Sequence, residues 1–211
     1  MTDEARIPTN RRLLAIRSLA AQLSLIAGVA FLFFASTSLV RASECAETRM
    51  PNTIEIDHTK FVLNGLGIRR ATIFGVKVYV GALYVLTRTR SAEKVLSTAT
   101  AKRLVLHFLR DVDQTEMGVA IEEGIRKNAG EKAESAIKQA KQVTRLFPPL
   151  QKGMNLSFTY LPDKGLEIRA NDILKGAVKD NPFTQLLFRV WFGPKPPDSG
   201  LKSGMLGAKC E

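Results

Sequence analysis

The chain has 211 residues, with 31 Lys and Arg against 20 Asp and Glu for a formal net charge of +11. Five of those basic residues and two of the acidic ones lie in residues 1–42, so residues 43–211 carry 26 against 18, a net +8 on a length suited to one domain with a substantial core. Such a charge attracts anions in general, but no basic helix interleaved with stacking aromatics accompanies it, so a nucleic-acid partner is not expected.

The N-terminal segment reads as targeting machinery. Arg6, Arg11, Arg12 and Arg17 precede an uncharged run from Ser18 to Val40 that ends at Arg41. A basic n-region, an apolar h-region around Leu23 to Phe34 and a small-residue cleavage site at Val40-Arg41-Ala42 make residues 1–42 a signal peptide. The run is also long enough to span a bilayer, so an uncleaved signal anchor over residues 18–40 is the alternative. Arg11-Arg12 fits twin-arginine export, whereas Phe31, Phe33 and Phe34 favour the general secretory route. The expectation is an exported, periplasmic domain over residues 43–211, or one held on the inner membrane. The two cysteines, Cys45 and Cys210, sit near the ends of that domain. An oxidising compartment permits a bridge between them, and unpaired tail thiols are the alternative.

Beyond the leader, strand and helix signals alternate without repeats. Thr53–Ile56 and Lys60–Leu63, separated by Asp57-His58, read as a hairpin leading into the glycine-rich stretch Leu63-Asn64-Gly65-Leu66-Gly67-Ile68-Arg69-Arg70. A long strand is expected over Ala71–Leu86, with Val76, Val78, Val80, Ala82 and Tyr84 on one face and Lys77, Tyr79, Gly81, Leu83 and Val85 on the other. Gly75 and Gly81 mark a bulge or a close approach. Ser91 caps a short helix through Leu96, and a strand follows at Arg103–Leu109. Asp113 with Glu116 forms a capping box before the stripe Met117, Ala120, Ile121, Gly124 and Ile125. A second amphipathic helix runs from Glu131 to Phe147 and stops at Pro148-Pro149. Met154–Tyr160 and Leu166–Ala170 flank the turn Pro162-Asp163-Lys164-Gly165, and Asn181-Pro182 opens a helix that Gly193-Pro194 ends. Gly200, Gly204 and Gly207 are read as serving local turns. The order indicates an α+β domain, an antiparallel sheet with helices mainly on one side.

Three strings, LNGLGIRRATIFGVKVYVGALYV, LVLHFLRDV and FTQLLFRVWFGPKPPDSGLKSGMLG, occur in that order and cover much of residues 50–207. Together they resemble the chalcone isomerase-like family, in particular its bacterial, exported members. The resemblance implies an open-faced β-sandwich, a long antiparallel sheet backed by a layer of helices, with a ligand cleft between them. It also implies two kinds of function. Plant enzymes of the family close a ring by adding a phenolate to an unsaturated ketone, which needs an anion held in place and a carbonyl polarised. Arg69 matches the anion-holding arginine after the glycines, with Arg70 adjacent. Those enzymes use a threonine on the long strand and a tyrosine on the following helix; here Phe74 occupies the strand position, and no tyrosine lies between Val85 and Thr159. Thr115 or Gln114 would donate more weakly, and Thr184 matches a hydroxyl-bearing site position. Losing one preorganised donor costs about 2.7–4 kcal/mol of transition-state stabilisation, so efficient catalysis is not expected.

The other branch of the family binds fatty acids without converting them. A carboxylate calls for a bidentate, charge-assisted partner at the mouth of an apolar tunnel, which a guanidinium supplies better than an ammonium. The resemblance therefore implies a non-catalytic binder of a fatty acid or similar amphiphilic anion, with Arg69, Arg70, Phe74, Tyr79, Met117 and Thr184 as ligand-binding residues and Val76, Val78, Ile121 and Leu187 as further tunnel wall. An intramolecular lyase using Arg69 and Thr184, and a membrane-tethered accessory protein whose cleft takes a partner segment, are the alternatives. No cofactor is called for. His58 and His107 stand apart without a carboxylate cluster at ligand spacing, so no metal is expected. Asp111, Asp113, Glu122 and Glu123 read as caps and solvated helix faces. Gly65 and Gly67 lack the Lys-Ser/Thr ending of a phosphate loop.

Overall fold

The computed structural model describes residues 42–71 and 74–210. The proposed leader, apart from Ala42, lies outside them, and among the described residues no helix is long and apolar enough to cross a membrane. Strands β1 (Ala42–Cys45) and β2 (Thr48–Pro51) pair as a small antiparallel sheet. Strands β3 (Thr53–Ile56), β4 (Thr59–Ala71), β5 (Val76–Val85), β6 (Lys102–Phe108), β7 (Asn155–Leu161), β8 (Gly165–Ala170) and β9 (Ile173–Val178) follow one another in chain order across a seven-stranded antiparallel sheet. Lys164 in the β7–β8 turn pairs with Asp57 in the β3–β4 turn at 2.8 Å, so the sheet curls far enough for distant turns to meet.

Helix α1 (Ala92–Leu96) joins β5 to β6, α2 (Gln114–Asn128) and α3 (Ala133–Thr144) connect β6 to β7, and α4 (Asn181–Phe192) and α5 (Ser199–Met205) follow β9. Each start but that of α3 has a side-chain cap: Ser91, Asp113, Asp180 and Asp198 accept from backbone N–H groups of their first turns. At α2 only half of the expected box forms, because the Glu116 carboxylate turns away to Arg110 at 2.7 Å. The domain's ends are joined by the disulfide Cys45–Cys210, with Cα atoms 6.0 Å apart.

Three expectations are corrected. The strand expected over Lys60–Leu63 runs on through the glycine-rich stretch as β4, and the glycines of that stretch serve packing. A Cβ on Gly67 would fall within 3.0 Å of Leu201 backbone, and one on Gly204 would meet Leu66 and Gly67, so β4 and α5 touch backbone to backbone. The expected long strand Ala71–Leu86 is broken, because Ala71 ends β4 and pairs with Val76, while Phe74 and Gly75 form a turn in which Gly75 takes φ 66°. The tail glycines Gly200 and Gly204 lie in a helix, not in turns.

Two bulges set which side chains face the helices. Leu63 pairs with Tyr84 and Gly65 with Leu83, which leaves Asn64 as the extra residue; Arg69 pairs with Tyr79 and Arg70 with Lys77, which leaves Val78. Phe61, Leu63, Leu66 and Ile68 consequently join Val80, Ala82 and Tyr84 on the face carrying the β1–β2 sheet. Leu83, Leu104, Leu106 and Phe108 face Ile121, Ile137, Leu187, Trp191 and Leu201 in the main core. Val78, expected with Val80, instead joins Tyr79 on the helix side because it is the bulged residue.

Candidate functional site

The end of the β4–β5 hairpin and the helices above it enclose a cleft of about 200 Å³. Arg69, Ala71, Val78 and Tyr79 come from the sheet, Met117, Ile121 and Gly124 from α2, and Val190 and Trp191 from α4. Gly124 is required there, since a Cβ would run into the Val190 side chain and force the two helices apart. Lys195, Pro196 and Pro197 close one rim. That segment is held by Asn128, whose amide donates to the Lys195 carbonyl and accepts from its N–H, both at 2.9 Å. Asp198 fastens it to the hairpin, accepting from the Arg70 N–H at 3.0 Å while capping α5 at Leu201.

Polar groups inside are few. The Trp191 indole donates to the Tyr79 hydroxyl at 3.0 Å, and Tyr79 stands directly across the ladder from Arg69. Burial pushes the Tyr79 phenol up to about 12, so it is protonated at neutral pH. Because it accepts from Trp191, its own proton is available, and among the described residues no acceptor takes it. The Arg69 guanidinium donates to the Arg70 carbonyl, and among the described residues no carboxylate is paired with it. The rim acids are paired with neighbouring cations, Glu116 with Arg110 and Glu123 with Lys127 of the same rim at 3.4 Å. The arrangement offers an anion one guanidinium and one phenol proton against apolar walls.

Of the residues singled out from the sequence, Arg69, Tyr79 and Met117 meet in this cleft, as do Val78 and Ile121. Phe74 does not: it is 86% exposed in the hairpin turn. Val76 is also solvent-exposed, and Leu187 lies in the core. Arg70 follows Arg69 on an alternating strand and is not among the lining residues. Thr184 is buried in the first turn of α4, where its hydroxyl donates to the Asp180 carbonyl at 2.8 Å, away from the cleft. Trp191, Asn128, Lys195 and Asp198 were not singled out as site residues, although the run Gly193-Pro194-Lys195-Pro196-Pro197-Asp198 marks a stiff segment that contains two of them and to which Asn128 is bonded. His107 pairs with Asn155, and among the described residues no three His, Cys, Asp or Glu side chains are grouped to hold a metal.

A curled antiparallel sheet backed by helices, with a small apolar cleft between the layers, defines a chalcone isomerase-type α+β domain. The chain belongs to the chalcone isomerase-like family, whose model matches residues 42–207. The crystal structure of a fatty-acid binding protein of Arabidopsis thaliana superposes with a TM-score of 0.61 at 13% identity, covering 79% of this chain and 96% of that one. That similarity establishes the shared fold. Among curated proteins, none matches the sequence.

Proposed function

We propose that the cleft binds the carboxylate end of a fatty acid or a similar amphiphilic anion without converting it. The observation that carries this reading is Arg69, a guanidinium without a carboxylate partner among the described residues, set beside Val78, Met117, Ile121 and Val190. Its partner across the ladder, the protonated Tyr79, gives the carboxylate a second donor. The Arabidopsis relative, a fatty-acid binding protein by its title, supports the same ligand class. The cavity of about 200 Å³ is smaller than the roughly 300–1,000 Å³ of ordinary small-molecule sites, so a long chain requires α2 or the proline rim to swing outward, or its tail to remain outside. The proposal includes export to an oxidising compartment, for which the leader pattern and the Cys45–Cys210 bridge speak.

Displacement of a fluorescent fatty acid from the purified protein tests the binding reading. A charge-assisted hydrogen bond contributes about 1.5–3 kcal/mol, so Arg69→Ala should weaken binding roughly 10- to 150-fold, Arg69→Lys less, and Tyr79→Phe by less again. Unchanged affinity in folded Arg69→Ala sinks the proposal. Tyr79 also favours a second reading, an intramolecular lyase, because a buried phenol can hydrogen-bond a developing enolate beside a guanidinium that holds a phenolate. Chalcone ring closure far above the spontaneous rate, lost in both variants, would establish it.

A further inference from the structure

A second pocket, of about 370 Å³, opens at the end of β5 remote from the cleft. From Tyr79 to Val85 the strand advances about 20 Å, so the two sites are separate. Val85, Leu86, Val95 and Ala101 give this pocket apolar walls, while Arg88, Lys94 and Lys102 bring three cations to it, and no Asp or Glu is among its lining residues. None of the three cations is in an ion pair among the described residues. The Arg88 guanidinium donates to the Leu63 carbonyl at 3.0 Å, and the Lys102 ammonium, on a side chain 1% exposed, donates to the carbonyl of Ser97, itself part of the pocket wall. Neutral donors stand beside them. The hydroxyl protons of Thr87 and Thr89 meet no acceptor among the described residues, the Thr89 oxygen accepting from the Ser91 N–H at 3.1 Å.

The walls are fixed before any ligand arrives. The Asn64 side chain brackets Thr89, donating to its carbonyl at 3.0 Å and accepting from its N–H at 2.7 Å. On the other side the Tyr160 hydroxyl donates to the Thr98 carbonyl at 2.9 Å, and the Tyr160 and Phe188 rings pack against the Lys102 ammonium. Such preorganisation lowers the ordering cost of binding. Lysines scattered on a surface are solvated and mean little, but a buried ammonium and two further cations around apolar walls, without a counter-charge, complement an anion. We propose that this pocket binds a phosphate monoester carrying a small apolar group, its dianion facing Arg88, Lys94 and Lys102 and its apolar group against Leu86 and Val95. A carboxylate would answer only one of the three charges, whereas a phosphate presents close to two charges and three acceptor oxygens to guanidinium, ammonium and threonine hydroxyl together. The volume lies within the roughly 300–1,000 Å³ of ordinary small-molecule sites. This site does not depend on what the cleft binds.

Titration of the isotope-labelled full chain with phenyl phosphate, followed through amide chemical shifts, tests the assignment. Saturable shifts are expected at residues 86–89 and 97–102, while Val78 and Gly124 of the cleft stay unmoved. Lys94→Glu, at an exposed position that leaves the core untouched, should raise the Kd of phenyl phosphate about tenfold or more, and Arg88→Ala should act in the same direction. Lys138→Glu, the same charge reversal at an exposed position of α3, should leave the Kd unchanged. Inorganic phosphate should bind about tenfold more weakly, because it leaves the apolar walls unfilled. Tighter binding of dihexanoyl phosphatidic acid than of phenyl phosphate identifies a lipid headgroup as the source of the monoester, the reverse order a soluble ester, and either result supports the site. Equal binding of inorganic phosphate marks an adventitious ion only and overturns the proposal. Shifts centred on the cleft, or an unchanged Kd in Lys94→Glu, overturn it as well.

Discussion

Replacing Gly67 by alanine tests whether α5 is seated on β4 by backbone contact. A Cβ at position 67 would lie within 3.0 Å of the carbonyl oxygen, carbonyl carbon and Cα of Leu201, none of which has a rotamer to move aside. The helix has to lift. Leu201 and Met205 are each 0% exposed, and burial of such a side chain contributes about 1.5–3 kcal/mol, so complete undocking would forfeit about 3–6 kcal/mol. A partial shift costs the roughly 1–3 kcal/mol of an overpacked core. The Asn64 amide donates to the Met205 carbonyl at 2.7 Å, and Cys210 is bonded to Cys45, so the chain end is held and the shift stays partial. The expected loss is about 3 kcal/mol, read in urea unfolding and as a fall of about 6–12 °C in Tm. Gly200→Ala is the control, in the same helix but with its Cβ meeting only the Asp198 carboxylate, at 3.2 Å. A Tm within about 2 °C of the parent for Gly67→Ala, or equal losses in both variants, would refute the packing account.

Lys102 is 1% exposed, with its ammonium against the Tyr160 and Phe188 rings and donating to the Ser97 carbonyl, and burial pushes its pKa from 10.5 down to about 8. Between those values the unfolded chain binds more protons, so stability should rise with pH from about 8 to 10.5; Lys102→Met should remove that rise and be neutral or stabilising by up to about 3 kcal/mol at pH 7, and a loss there above about 1 kcal/mol contradicts this. The Cys45–Cys210 bridge closes a separation of 165 residues, so Cys45→Ser should cost about 2–5 kcal/mol in thermal unfolding, and a reductant should lower the parent's Tm but not the variant's. Asp198→Ala removes the α5 cap and the acceptor of the Arg70 N–H together, which should cost about 1–2 kcal/mol and speed amide exchange at Arg70; unchanged exchange there speaks against the fastening.

The elements whose signals are local were legible. Asp113 and Ser91 sit at helix starts, Asn181-Pro182 opens α4, Pro162-Asp163-Lys164-Gly165 makes a hairpin, and the α2 and α3 stripes face the sheet, because capping, turn geometry and helical period act over a few residues. Helix α5 was hidden because its reason is distant: Gly204 in a helix reads as a breaker until Leu66 and Gly67 of β4 are seen against it. The edge strand β9 was hidden for a related reason, since Ile173-Leu174-Lys175-Gly176 lacks the alternation of a half-buried strand. The family's missing helix tyrosine was also legible, yet its absence does not strip the cleft of a phenol, because Tyr79 reaches it from the sheet.

Arg69 itself shows where sequence parity ends. Counting by twos from Phe61 and Leu63 puts residue 69 on the face of the β1–β2 sheet, opposite the helices. The unpaired Asn64 reverses the count, so that beyond it Leu66 and Ile68 take that face and Gly65, Gly67 and Arg69 turn toward the helices. Asn64 can occupy the bulge because its amide bonds the Met205 carbonyl at 2.7 Å and the Thr89 carbonyl at 3.0 Å, while its oxygen accepts from the Thr89 N–H at 2.7 Å. One inserted residue, satisfied by contacts 25 and 141 positions away, thus brings the two glycines under α5 and the guanidinium into the cleft. Packing and site depend on the same bulge, and a change at Asn64 that lets the ladder slip would disturb both at once.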